Sequence, residues 1–265
     1  MGTRFLEFCD SLGAWERGFE GGYKYNTMAN IYLIRHGQAS FGQHDYDCLS
    51  SVGERQARLT GEWLSGSLKK NFSVLGCGTL LRQKQTLSGI VDGMGASEGD
   101  PARAESLVLP DLNELSTDDL ILTASSEYSD RASLDKAISR MENPAHTFFN
   151  LYRSALDRWT SGKYDDEYQE SWDHFKSRTL ATVRETANKL EDNDSALLVS
   201  SGGVISAIVL QLLNCPNSEL FRINRQVHNA SITVLSARND KLSLHSFNNY
   251  SHLEAKGEQQ LLTRI

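Results

Sequence analysis

Ile31-Tyr32-Leu33-Ile34-Arg35-His36-Gly37 is the stretch that sets the fold. Four apolar side chains, β-branched and aromatic ones among them, run without alternation and stop at a charged triplet. A run of that length, apolar on both sides, reads as a strand covered on both faces. Such a strand lies inside a sheet, and polar residues that follow it lie at the sheet's carboxyl edge.

Outward from this strand, the chain alternates. Residues 37–47 form a loop rich in Gly, Asp and Ser. Ser51-Val52-Gly53-Glu54 matches a capping box, with Ser51 as N-cap and Glu54 reaching back, and opens a helix to about Leu68. Val74-Leu75-Gly76-Cys77 reads as a second strand, Thr79 to Val91 as a second helix, and Ser106 to Leu109 as a strand ended by Pro110. From Thr117 to Asp194 the charge is dense and the periodicity helical, which predicts a helical insertion. Ala196-Leu197-Leu198-Val199 returns to a buried strand, and Val204 to Leu213 is an apolar helix. Ser231 to Leu235 and Leu242 to Phe247 close the domain as strands around Asn239-Asp240. Strands alternating with helices predict an α/β sheet with helices on both faces. Residues 1–28, Gly-rich and without periodicity, read as an N-terminal extension to a domain over 29–265, and Met28 is a candidate translation start.

The 265 residues suit one domain, and 39% hydrophobic with 23% charged residues is ordinary for a chain with a proper core. A net charge of -7 argues against nucleic acid and anionic membranes as partners. No apolar run has membrane-spanning length, and the N-terminus lacks the apolar centre of a signal peptide. Cys9, Cys48, Cys77 and Cys215 are far apart, without zinc or redox spacing, and read as reduced thiols of a cytoplasmic protein. No interface signature indicates an oligomeric state.

Three strand ends carry groups suited to one chemistry, and ligands of open α/β sheets sit at such ends. The first is Arg35-His36-Gly37, the second Thr79-Leu80-Leu81-Arg82, the third Ser200-Ser201-Gly202-Gly203 at the front of an apolar helix. Free backbone N–H groups at a helix start suit an anion. Arg35 and Arg82 offer planar donor forks matched to phosphate oxygens. A neutral His36 imidazole is a nucleophile able to split one displacement into two. Glu114 is a candidate general acid for the leaving oxygen. Taken singly, Arg82 also reads as a surface cation and Glu114 as a solvated loop carboxylate; their order and placement join them.

These stretches resemble the histidine phosphatase superfamily, also called the phosphoglycerate mutase family. The likeness rests on Leu33-Ile34-Arg35-His36-Gly37-Gln38-Ala39-Ser40, Leu49-Ser50-Ser51-Val52-Gly53-Glu54-Arg55-Gln56-Ala57, Thr79 through Thr86, Leu112-Asn113-Glu114-Leu115 and Ser200 through Ile205, and covers about Ala29 to Phe247. The resemblance implies a three-layer α/β/α sandwich with a helical cap at 117–194, a small phosphorylated substrate, no cofactor and no metal. It further implies His36 as phosphohistidine-forming nucleophile, Arg35 and Arg82 as phosphate clamps, Glu114 as proton donor, and Gln38, Ser40, Ser201 and Gly202 as substrate-binding residues.

One position departs from the pattern. The family's last motif reads His-Gly after the strand, and Ser201 stands at the histidine here. A hydroxyl donates a hydrogen bond but carries no charge, and loss of one charge-stabilising donor costs on the order of 2.7–4 kcal/mol, roughly 10²–10³ in rate. The chain therefore resembles a branch with Ser for the second catalytic His. The expectation is a slow phosphomonoesterase, with a pseudo-enzyme that binds a phosphorylated ligand as the alternative and a phosphoglycerate mutase as the third reading. His44 and His228 are the histidines whose positions suit a substitute. Arg153, Arg158 and Arg178 are candidates to meet a substrate anion, and Trp159 and Trp172 read as packing anchors.

Overall fold

The computed structural model describes residues 28–40, 47–95, 106–239 and 241–264. The extension read at 1–28 therefore lies outside the described residues, Met28 excepted, and so does His44. The elements run β1 (Ala29–Arg35), α1 (Ser51–Glu62), β2 (Val74–Cys77), α2 (Leu81–Gly93), β3 (Leu107–Val108), α3 (Thr117–Ala124), α4 (Arg131–Ile138), α5 (Pro144–Thr160), α6 (Trp172–Ala187), β4 (Ser195–Ser200), α7 (Gly202–Leu212), α8 (Leu220–Asn224), β5 (Ile232–Arg238), β6 (Lys241–Asn249) and α9 (Ser251–Glu254).

The strands form one mixed sheet in the order β3-β2-β4-β1-β5-β6. β1 pairs in parallel with β4 and antiparallel with β5, so it is interior, as its continuous apolar run requires. β2 joins β4 and β3 in parallel, and β6 closes the other edge antiparallel to β5. Alternation along β1 divides its side chains between two cores. Ile31 and Leu33 pack with Phe175 of α6 and Val204 and Ile208 of α7. Tyr32 and Ile34 pack with Ala57 and Leu64 from α1 and its continuation, and with Leu87 and Ile90 of α2. The result is an α/β fold of three layers, helix on sheet on helix. Burial of each such Leu or Ile contributes about 1.5–3 kcal/mol, so the two cores hold the sheet edge where β1 and β4 end.

The start of α1 falls one residue earlier than the capping pattern places it. Ser50, not Ser51, is the N-cap, and its Oγ accepts from Gly53 N at 3.1 Å. The reason is a tie to the loop after β1: Ser50 N donates to Gln38 O at 2.9 Å and Ser50 Oγ to Gln38 Oε1 at 2.8 Å. These bonds pin Ser50 in extended backbone, the conformation an N-cap needs. A turn of π-helix, Trp63–Ser67, continues α1 to the end that the sequence predicts.

Over 117–194, helices α3, α4 and α5 pack together, whereas α6 packs on α7 and β1. Trp159 and Trp172 are both buried, meet edge to face at 5.1 Å between ring centroids, and lie 5.4 and 6.0 Å from the Phe175 ring. Trp159 Nε1 donates to Glu170 O at 2.7 Å. Both tryptophans thus join α5 to α6, the anchoring role read from their sequence positions.

Candidate active site

The parallel register of β1 and β4 brings the first and third strand ends together. Arg35 lies opposite Ser200, and His36 N donates to Ser200 O at 2.8 Å. His36 and Ser201 therefore follow side by side at the carboxyl edge. The first turn of α2 reaches both from one flank. Arg82 Nε donates to His36 Nε2 at 3.2 Å, and Gln83 Nε2 donates to Ser201 Oγ at 2.9 Å.

His36 is 7% exposed. Its Nδ1 lies 2.8 Å from Gly37 O, a group that only accepts, so Nδ1 carries the proton and Nε2 the lone pair. Burial, then the positive charges of Arg35 and Arg82, hold its pKa well below the usual 6.5, against the smaller opposing effect of the Gly37 carbonyl. The imidazole is consequently neutral at neutral pH, with Nε2 basic and aimed at a guanidinium. Its backbone is fixed as well: Asn229 Nδ2 donates to His36 O at 3.1 Å, and Gly37 N donates to Thr86 Oγ1 at 3.0 Å.

Arg82 is half-held by Asp47. Asp47 Oδ1 accepts from Arg82 Nη1 at 2.6 Å, and Oδ2 accepts from Leu81 N, at the start of α2, at 2.8 Å. Arg35 Nη1 donates to the carbonyls of Val227 and of Arg264, the latter at 2.8 Å.

The helix start at Gly202-Gly203 holds a carboxyl group from within the chain. Glu114 Oε2 accepts from Gly203 N at 2.9 Å, and Oε1 accepts from Leu115 N at 3.0 Å. Gly203 makes this approach feasible, and Gly202 does the same for Asn224 and Arg35. A Cβ on Gly203 would lie 2.3 Å from Glu114 Oε1, and one on Gly202 would lie 2.5 Å from Asn224 Oδ1 and 3.4 Å from Arg35 Nε. The four residues His36, Arg35, Arg82 and Glu114 thus surround one sheet edge although they are spread over eighty positions of sequence.

The sequence model of the histidine phosphatase superfamily (branch 1) matches residues 31–143 and 137–250. The chain belongs to the histidine phosphatase superfamily. Solved structures with the same fold agree. Phosphoglycerate mutase from Bacillus anthracis str. Sterne is 15% identical, with a TM-score of 0.56 over 88% of this chain and 98% of that one. A phosphoserine phosphatase variant from Entamoeba histolytica, in complex with phosphoserine, is 19% identical, with a TM-score of 0.56 over 85% of this chain and 100% of that one. Mycobacterial glucosyl-3-phosphoglycerate phosphatase, in complex with VO3, is 20% identical, with a TM-score of 0.54 over 83% and 98%. No curated protein matches the sequence. Among the described residues, no helix is long and apolar enough to cross a membrane.

Within this superfamily member, several candidates hold the frame. Besides its bonds to Ser50, Gln38 donates N–H to Gln56 Oε1 at 2.8 Å, and Ser40 Oγ donates to Leu49 O at 3.0 Å. Both tie down the loop after His36. His228 stacks on Tyr250 at 3.7 Å, and its N donates to Asn248 Oδ1 at 2.8 Å. Arg158 pairs with Glu167 at 2.6 Å and Arg178 with Glu170 at 2.6 Å, whereas Arg153 is largely exposed and lies 3.9 Å from Asp157. Arg178 Nη1 also donates to Asp111 O at 2.6 Å and so braces the turn before Glu114. Asp47, Gln83, Thr86 and Asn229 were not singled out by sequence. Gln83 and Thr86 stand in the Thr79–Thr86 motif beside Arg82, and Asn229 lies three residues before β5, whereas nothing local in the sequence marks Asp47.

Proposed function

We propose that the protein hydrolyses phosphomonoesters through a phosphohistidine on His36 Nε2. The observation that carries this reading is the His36 ring, neutral, with Nδ1 tied to Gly37 O and Nε2 facing Arg82. An incoming phosphoryl group takes the Arg82 guanidinium onto its oxygens and frees the Nε2 lone pair. Nε2 then attacks phosphorus, the P–N bond forms and the P–O ester bond breaks. Protonated Glu114 gives its proton to the leaving oxygen. Water attacks the phosphohistidine, the P–N bond breaks, and Glu114 takes up the water's proton, so that His36 and Glu114 return to their starting forms. Arg35 and Arg82 hold the phosphoryl charge, and Ser201 with Gly202 lines the same edge. Helices α3, α4 and α5, within 117–194, act as the cap that shapes the leaving-group site, whereas α6 belongs to the sandwich.

Ser201 sets the rate. With a hydroxyl where relatives carry a second histidine, the transferred charge meets a neutral donor, which lowers turnover by roughly 10²–10³. The same residue supports a second reading, a phosphate-binding pseudo-enzyme of the same fold. An aryl phosphate assay on wild type, His36→Ala and Ser201→His separates them. We expect slow turnover in wild type, loss in His36→Ala and gain in Ser201→His. No turnover in wild type, with orthophosphate still bound and activity appearing only in Ser201→His, would establish the pseudo-enzyme. A coupled mutase assay primed with bisphosphoglycerate is expected to stay silent.

A further inference from the structure

Gln83 is fully buried, directly follows Arg82, and has no part in the chemistry above. Its Nε2 has two partners, Leu112 O at 3.2 Å and Ser201 Oγ at 2.9 Å. The Leu112 carbonyl has no proton to give, so the amide nitrogen must face it. A rotated amide would set two acceptors against each other there. The same nitrogen then faces Ser201, whose hydroxyl is the acceptor in that bond. Its own proton is left for another acceptor, and among the described residues Ser201 Oγ has no second partner.

The frame around this amide is rigid. Leu112 O also accepts from Ser200 Oγ at 2.7 Å. Gln83 Oε1 is buried without a hydrogen-bond partner and lies 2.1 Å from where a Cβ on Gly78 would be. A buried amide oxygen left unpaired destabilises the fold. The orientation that leaves it unpaired is the one that makes Ser201 a donor.

We propose that Gln83 is a positioning residue, which holds the Ser201 hydroxyl as an acceptor on one side and thereby directs its proton to a phosphoryl oxygen on His36. This rests on the phosphohistidine reading. It makes Gln83 and Ser201 together the neutral donor at the third strand end.

A double-mutant cycle on orthovanadate binding tests the proposal, with kcat and KM for an aryl phosphate measured beside it. Gln83→Leu is expected to weaken orthovanadate and lower kcat by about tenfold, less than the 10²–10³ lost when a donor is removed outright, with KM little changed. In a Ser201→Ala background the same substitution is expected to change neither. Gln83→Met, which keeps side-chain length, serves if Gln83→Leu lacks a cooperative thermal transition. An equal loss in both backgrounds would show a merely structural role and overturn the proposal, as would no loss in either. Orthovanadate binding reports on Ser201 even without turnover. A wild type that binds orthovanadate but hydrolyses nothing would end the phosphohistidine reading while the cycle still decides the role of Gln83.

Discussion

At the scale of single residues, the decisive feature is the charge state of His36. Burial is the largest cause of its lowered pKa, and the Arg35 and Arg82 charges add to it. A lowered pKa in a base means that the protonated form is disfavoured, so protonation silences the nucleophile only well below pH 6.5. The acid limb of kcat/KM is therefore expected well below that value. Arg82→Leu removes one of the positive charges and is expected to move the His36 pKa upward, though not fully to 6.5, because burial remains. Its effect on turnover is a loss of about 10²-fold or more, since a phosphate donor goes with the charge. A pH titration of the His36 ring by NMR, in wild type and variant, measures the shift apart from the loss of rate. A His36 pKa unmoved or lowered in Arg82→Leu would remove Arg82 from the electrostatics of the nucleophile.

At the scale of elements, the start of α7 shows what local sequence can and cannot reveal. Gly202-Gly203 after an apolar strand is legible as a helix start that suits an anion, but its partner is not. The group that fills it is the Glu114 carboxyl, 89 positions earlier, and the sheet order that sets them together leaves no periodic trace. Gly203→Ala tests this packing. The added Cβ meets the carboxylate at 2.3 Å, so Glu114 must turn away and lose its bond to Gly203 N. We expect a loss of turnover of about 10²-fold, the scale of a general acid, with a stability loss of about 1–3 kcal/mol. Aryl phosphate turnover and thermal unfolding measure the two. Unchanged turnover would show that the position of Glu114 is immaterial to the chemistry. The same contrast runs through the chain. β1, β4 and α7 are legible because apolar residues repeat with a period or without a break. The N-cap is displaced to Ser50 because the Gln38 bonds that fix it are non-local. α8 and α9, five and four residues long, are too short to display a period. Gln83 and Asn229 look like any loop or helix polar residue until their partners at Ser201 and His36 are in place.

At the scale of the whole molecule, the segment after β6 closes the corner between α1 and the turn before β5, and it carries a second buried histidine. Residues of this segment meet α1 and the turn before β5: Gln56 Nε2 donates to Leu261 O at 2.8 Å, and Thr263 Oγ1 donates to Asn229 Oδ1 at 2.9 Å. Asn229 in turn holds His36 O, so the packing of this corner bears on the site. His252 sits there, 2% exposed, with Nε2 3.0 Å from Thr60 Oγ1 and its ring stacked on Trp63 at 6.4 Å. Burial lowers its pKa from 6.5 to about 4. The unfolded chain therefore takes up a proton near pH 6.5 that the folded chain refuses until about pH 4. Stability is complete above the unfolded value, falls as pH drops below it, and levels off once the folded value is passed. The loss from this residue is about 3 kcal/mol. His36, lowered in the same direction, adds to the slope rather than opposing it. Chemical denaturation of wild type from about pH 7.5 down to about pH 4, from above the unfolded pKa to the folded one, is expected to show most of this decline. His252→Phe, apolar and able to keep a ring on Trp63, is expected to flatten it in part. An equal slope in wild type and His252→Phe would mean that His252 does not titrate between the two states, and would remove this corner as the source of acid sensitivity.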